Sequence, residues 1–474
     1  MNQYSLSITI AAGWVAAMLL ALPTGADAAP KSASKPTPPC ESPLKQQRPS
    51  AKALDKVLQS HARWLDDRES PDGHRANLCR VDLRHLRLVG ANLERVNLEG
   101  AILRGTNLRT ADLVQAHLKG ADLSQAVLDD ANLEGADLRK ALLVKAHLNR
   151  VAADEAAFYG ADLQGAFFRE ALLERAHFED ADLRLADLSN ATLLDGYFYG
   201  ANLSKATLTE ADLAGTDLRR TDLRQANLRR ANLQGALLDS ANLDGAGLIE
   251  ADLDSAYLDD ASLRNADLHE ANLRGVDLRY AQLGGANLQR TNLEHANLEG
   301  ANLIKARLDS ATMTMTVLYK ANLSAANLHG ARLSHAVIIG AQLASADLRK
   351  ADLTDIYGPK ARLSQARLSE ANLESANLVA ADLSQADISH ALVVQTNLQE
   401  ANLRGTNLSA SDLTGAQLND ADLHHTDLRG ANLSGALGLV QAQLDTACLD
   451  EATQIPSDLK RPKPCSQHQP RHRR

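Results

Sequence analysis

Large rings are scarce in this chain of 474 residues: aromatics make up 3% of it, with five phenylalanines and two tryptophans. Apolar residues nevertheless make up 45%. A core therefore exists, but not one built around the large rings that usually anchor a globular interior. Leucine and alanine must supply it. Proline is missing from the body: twelve of the 13 lie outside residues 76–435, and only Pro359 lies inside. A net basic charge is missing too. The net charge is −9; residues 76–435 carry −13 and each flank carries +2. That excludes the basic stripe of a nucleic-acid binder, so no direct nucleic-acid binding is expected. Also absent are a glycine-rich phosphate loop, a G-x-S-x-G elbow and H-E-x-x-H. Asp is plentiful, but chance carboxylate neighbours do not define an acid–base pair. His424-His425 reads as a solvated pair rather than a metal site. We expect no catalytic residue, no cofactor and no metal, and so no enzyme.

The start of the chain reads as a secretory signal over residues 1–28. An apolar run from Ile8 to Leu22 precedes Ala26-Asp27-Ala28, an A-x-A site with cleavage after Ala28. The run is short for a membrane span, which needs about 20 residues. Residues 1–10 hold no Lys or Arg, so a retained anchor is the alternative; after cleavage no membrane span is expected. Residues 29–49, rich in Pro, Ser and Lys, read as a linker. Residues 50–75 read as a helix and lead-in: Ser50 is a candidate cap, and Leu54, Val57, Leu58, His61, Trp64 and Leu65 recur at helical spacing. His61 there reads as packed rather than ligating. Residues 462–474 read as a basic tail.

From Ala76 the period becomes five. Leu78, Leu83, Leu88, Leu93 and Leu98 begin a register that holds to Leu433, making 72 repeats. Leu fills 62 of the central positions, and Ala fills 56 of those two residues earlier. Asp or Asn commonly stands between, as in Ala121-Asp122-Leu123 and Ala401-Asn402-Leu403. Five residues turn an α-helix by about 500°, so these leucines would form no stripe on one. On a short β-strand, Ala and Leu share the inward face and the residue between them points out. The remaining two residues turn a corner. Phe158, Phe178 and Phe198 replace the central Leu at intervals of 20. Four repeats to a coil would stack them in a core column. The 72 repeats then make about 18 coils, roughly 86 Å long at about 4.8 Å each. Ile356-Tyr357-Gly358-Pro359 breaks the consensus and marks a surface bulge or a kink. After Leu433 the frame slips, and residues 439–448 read as a short capping helix.

Four cysteines fit an exported chain, and they allow three pairings. Cys40–Cys79 and Cys448–Cys465 are favoured, since the two ends of a long rod cannot meet. Outward positions around the Phe column hold Tyr159, Phe167, Tyr197 and Tyr199, within a stretch (151–200) of net charge −7. They form a candidate partner surface.

The A-(D/N)-L-x-x array closely resembles the pentapeptide-repeat family. The likeness covers residues 76–435, and residues 58–78 and 436–464 resemble that family's lead-in and exit. The resemblance implies an all-β solenoid, a right-handed quadrilateral β-helix. With it goes a C-terminal cap over 436–461, giving short helical caps at both ends. It also implies dimerisation through the C-terminal end as one option. For function, the sequence points to an exported, periplasmic or secreted, non-catalytic scaffold that binds an unknown protein partner of the cell envelope. The resemblance supplies the alternative: some family members mimic duplex DNA and bind DNA gyrase.

Overall fold

A computed structural model describes residues 40, 42–44 and 47–462. The signal segment 1–28, most of the linker, Cys465 and nearly all of the tail lie outside the described residues. The chain divides into two units, Met1–Cys40 and Glu41–Arg474. In the first only Cys40 is described, and it is disulfide-bonded. The rest concerns the second unit.

In every repeat but the last three, the residue between Ala and Leu forms a parallel bridge to the residue 20 positions on: Asn77↔Asn97, Asp82↔Ile102, Arg87↔Asn107, Asn92↔Asp112. Four repeats therefore make one coil. Its sides are named here after Asn77, Asp82, Arg87 and Asn92, and the Asn77 and Arg87 sides are opposite. Each side is stitched to the next coil by two bonds, as when the Leu78 amide donates to Asn97 O (2.7 Å) and the Asn97 amide donates to Ala76 O (3.0 Å).

The corners explain the repeat's other letters. After each central residue the chain turns through a bond of the kind Val81 N–H to Leu78 O (3.2 Å). The second corner residue takes a positive φ throughout, from Arg80 (55°) to Gly435 (72°). The outward Asp or Asn has a task here. Its Oδ1 accepts from the amide two residues on, as in Arg84 N–H to Asp82 (3.1 Å) and Glu94 N–H to Asn92 (3.2 Å). This local bond presets the turn. Asn amides also bond up the column, Asn97 Nδ2 to Asn77 Oδ1 at 3.1 Å.

Inside, Leu98, Leu103, Leu108 and Leu113, one per side, are fully buried, and alanines line the walls between them. Where Thr replaces Ala it is buried but satisfied; Thr106 Oγ1 donates to Leu83 O at 2.7 Å. Phe158 stacks on Phe178 (4.7 Å, 0°) and Phe178 on Phe198 (4.8 Å, 11°). A fourth ring, Phe168, also takes a central position and enters from the opposite side. It meets Phe158 and Phe178 edge-on, at 6.0 and 6.2 Å.

The 356–359 segment neither bulges nor kinks. Bridges run unbroken through Val337↔Tyr357↔Asn377. Gly358 takes a central position, and Ile338 and Leu378 fill the space: a Cβ there would stand 2.5 Å from Ile338 Cγ1 and 3.2 Å from Leu378 Cδ2. Pro359 begins the following corner, where a fixed φ suits the turn. Tyr357 offers no side-chain acceptor there, and a proline needs none.

Helix α1 (Ala51–Asp66) is capped by Ser50, which accepts from Ala53 N–H at 3.3 Å. Leu54, Val57 and Leu58 pack against the core of the array. His61 is fully buried; its Nδ1 accepts from Ala76 N–H (3.1 Å) and its ring stacks on Trp64 (5.6 Å). At the other end the helix α2 spans only Gln441–Leu444, not 439–448. Winding continues around it, since Leu437, Cys448 and Gln454 still bridge to Gln417, Asp427 and Asn432. Cys79 and Cys448 are disulfide-bonded. Among the described residues no helix is long and apolar enough to cross a membrane.

Candidate functional site

The twenty-residue pitch decides which surface residues are neighbours. Tyr159, Tyr197 and Tyr199 all fall on the Asn77 side or the corner that follows it. Phe167 does not: it bridges to His147 and Asp187 on the opposite, Arg87 side, where its ring meets that of His147 at 4.9 Å with a tilt of 32°. The structure thus separates Phe167 from the tyrosines with which the sequence groups it.

The tyrosines instead gather residues that the sequence reading passes over. Tyr257 and Tyr357 lie in the same bridge column as Tyr197, and Tyr280 and Tyr319 lie at the same corner as Tyr159 and Tyr199. Every tyrosine of residues 76–435 is on this one side. The signal was present in their spacing, readable once the pitch is known. Farther along, half-buried Val317, Tyr319, Val337 and Ile339 join exposed Tyr357 in an apolar patch.

At the start of this surface the rings form a stack. His177 lies between Tyr159 (5.0 Å, 20°) and Tyr197 (4.6 Å, 8°). The Tyr159 hydroxyl and His177 Nδ1 are 2.7 Å apart, and His177 Nδ1 and Glu179 Oε1 are 3.2 Å apart. Burial, then the charge of Glu179, pushes the Tyr159 hydroxyl up to about 12, so it stays a neutral hydrogen-bonding group. The outer stack runs parallel to the Phe158–Phe178–Phe198 column beneath it. Arg220 lies over Tyr199 at 5.7 Å and Lys320 over Tyr319 at 4.7 Å.

Eight of the 20 outward aspartates of the array are answered by an arginine two residues on, in a D-L-R triplet. Asp82–Arg84, Asp137–Arg139, Asp217–Arg219 and Asp277–Arg279 close at 2.6–2.7 Å. Arg84 holds Asp82 down at about 2, chiefly by hydrogen bonding. Asp239 and Asp259, on neighbouring coils of the tyrosine side, have no such partner in sequence. Both are shifted upward, first by burial; Asp259 adds to the shift at Asp239, while Asp260 and Asp277 add to that at Asp259. Asp259 Oδ1 is covered and lacks a hydrogen bond, and Arg279 Nε is 3.9 Å away. No group of three or more metal-ligating side chains occurs among the described residues.

A family model described as "Pentapeptide repeats" matches the chain in segments running from residue 74 to residue 435. No curated protein matches it. Similar solved structures include a trypsin-treated form of QnrB1, a plasmid-mediated fluoroquinolone resistance protein. It is 16% identical, covers 42% of this chain and 90% of its own, and has a TM-score of 0.26. HetL, involved in heterocyst differentiation regulation in the cyanobacterium Nostoc sp. Strain PCC 7120, is 28% identical over 56% of this chain and 91% of its own, with a TM-score of 0.16. A pentapeptide repeat protein of the Arabidopsis thaliana thylakoid lumen is 24% identical over 32% and 71%, with a TM-score of 0.11. With scores this low the architecture rests on the bridges and the repeat, not on these neighbours.

Proposed function

The chain belongs to the pentapeptide-repeat family, whose fold is a right-handed quadrilateral β-helix, and on that premise we propose that it is an exported, non-catalytic scaffold that holds a protein partner against one side of its solenoid. The observation that carries this reading is the gathering of every tyrosine of the array on the Asn77 side. Exposed aromatic side chains are the usual anchors of protein interfaces. A core filled by Leu, Ala and Phe leaves the outer sides as the surface for binding. The array amounts to about 18 coils, closed by α1 at one end and by residues 436–461 at the other. Closure of this kind keeps strand edges and apolar core from pairing with other chains.

Export is supported by the signal-like residues 1–28 and by disulfide bonds at Cys40, Cys79 and Cys448, since such bonds persist in oxidising compartments. Cys40–Cys79 and Cys448–Cys465 are the pairings we assign. The partner is then a protein of the periplasm or the outside of the cell, and a homodimer is one form it could take. The D-L-R pairs speak against a DNA mimic that binds gyrase. Their carboxylates are neutralised at 2.6–2.7 Å by the chain's own arginines, whereas duplex DNA presents one unneutralised charge per roughly 1.7 Å of axis.

Fractionation of a Gram-negative host expressing the full chain tests this. A periplasmic protein beginning at Ala29, crosslinked to one reproducible partner from Tyr257 and not from Asn287 on the opposite side, is the expected result. A cytoplasmic protein that keeps Met1 and alters DNA supercoiling by gyrase would replace this reading with the mimic.

A further inference from the structure

Two tyrosines on the Asn77 side already receive a cation from their own chain: Arg220 lies over Tyr199 and Lys320 over Tyr319. Between these two places stand Tyr257 and Tyr280, both about half exposed (48% and 49%), and no such contact is seen at either. Next to them are corner carboxylates that lie outside the D-L-R pairs. Asp239 and Asp259 occupy one corner on successive coils; Asp260 follows, and Tyr280 takes that same corner position one coil on. The two nearest arginines are committed, Arg219 to Asp217 at 2.6 Å and Arg279 to Asp277 at 2.7 Å. Asp259 keeps about a third of its side chain exposed (34%); its Oδ1 makes no hydrogen bond and has only Arg279 Nε, at 3.9 Å, so its charge is weakly offset.

Resting on the scaffold reading above, we propose that the Asn77 side between Tyr197 and Glu299 is the docking surface for a cationic segment of the partner protein, laid lengthwise along the solenoid. Lysine or arginine heads meet Asp239 and Asp259 in charge-assisted hydrogen bonds, and their stems and charges lie against Tyr257 and Tyr280. The stretch from Tyr197 to Glu299 spans five coil steps, or about 24 Å at about 4.8 Å per step. That is the reach of seven or so extended residues at about 3.4 Å each.

Other ligands fit less well. A neutral ligand such as a sugar would leave the charges of Asp239 and Asp259 without a counter-charge. Nucleic acid and anionic lipid share the charge of Asp239, Asp259 and Asp260 and would be repelled. A cation both relieves the crowding of these carboxylates and repeats a contact that this side already makes with Arg220 and Lys320.

The test is fluorescence anisotropy of a fluorescein-labelled deca-arginine peptide against the full chain, in 0.15 M salt at pH 7. The double variant D239N/D259N should weaken binding at least tenfold, and Y257S/Y280S several-fold. E170Q/E370Q removes the same charge from the opposite corner and should change binding less than twofold. All are surface substitutions, and far-UV circular dichroism should be unchanged in each. Equal losses in the two charge variants would mean general attraction to an acidic protein and would overturn the proposal, as would no binding by the parent. Dimerisation abolished by D239N/D259N, without deca-arginine binding, would assign the side to a second copy instead. A partner crosslinked from a different side would leave the scaffold reading standing and this one overturned.

Discussion

At each corner of the solenoid one residue lies in the left-handed region of backbone space, glycine or not. The positions thus differ in comfort. Thr110, with φ 54°, is β-branched, and Leu185, with φ 60°, is large and exposed. A non-glycine there costs about 1–2 kcal/mol, against about 0.5–1 kcal/mol for the extra freedom that glycine loses on folding. Thr110→Gly should therefore stabilise the protein by about 0.5–1 kcal/mol, seen as a higher urea midpoint. An unchanged or lower midpoint would mean that the corner carries no strain. Gly358 is the opposite case, a core position where the side chain is missing because Ile338 and Leu378 have taken its space. Gly358→Leu restores the family consensus and should still destabilise by about 1–3 kcal/mol through overpacking. A gain in stability would show that the neighbours can retreat.

The two kinds of element, coil and flanking helix, respond to different stresses. Phe178 touches three rings, so Phe178→Ala should cost about 3–5 kcal/mol. In a solenoid each coil contacts only its neighbours, so hydrogen exchange should quicken near residues 158–198 and stay unchanged beyond residue 300. Uniform loss of protection would contradict that locality. Helix α1 hangs on His61, whose buried ring has its pKa lowered, first by desolvation, with Arg75 adding to the shift and Glu94 opposing it. Its Nδ1 accepts from Ala76 and cannot do so when protonated. A lowered folded pKa means that the unfolded chain binds the proton more readily. The stabilisation is whole above the ordinary 6.5 and is lost as pH falls through the folded value. With Trp14 changed to Phe, Trp64 emission should shift red between pH 7 and pH 5; a flat profile would exclude His61 as the cause. The elements were unequally legible in the sequence. The five-residue period and the spacing of Phe158, Phe178 and Phe198 identify the strand, the corner and the four-sided coil, because core demand repeats in one register from Leu78 to Leu433. The edge-on Phe168 follows from the same register, yet it is easily overlooked, since it belongs to the opposite wall. The side-chain to backbone bond of Asp82 or Asn92 leaves no periodic signature beyond the residue type itself. The candidate surface was half legible: Tyr159, Tyr197 and Tyr199 are close in sequence, whereas Tyr257, Tyr280, Tyr319 and Tyr357 join them only through the pitch.

For the whole molecule, the pitch of 20 residues turns position in the chain into compass bearing. A residue's number, divided by 20, leaves a remainder that fixes the direction it faces, and the quotient fixes its height. Length changes therefore come in two grades. Deleting residues 281–300 removes one full turn: everything beyond drops by one step and keeps its heading, so Tyr319 and Tyr357 stay in line with Tyr197. Deleting only 281–285 should fold equally well, since the Leu and Ala register survives, but it swings everything beyond by a quarter turn and carries Tyr319 and Tyr357 round to the neighbouring wall. Both proteins should show the parent's circular dichroism, and a crosslinker placed at Tyr357 should reach the Tyr257 partner only in the first. If both reach it, the partner is not reading a single heading. A molecule built this way can rewire its exterior by gaining or losing single repeats, with no change to what lies inside, as a combination lock is reset by turning one wheel.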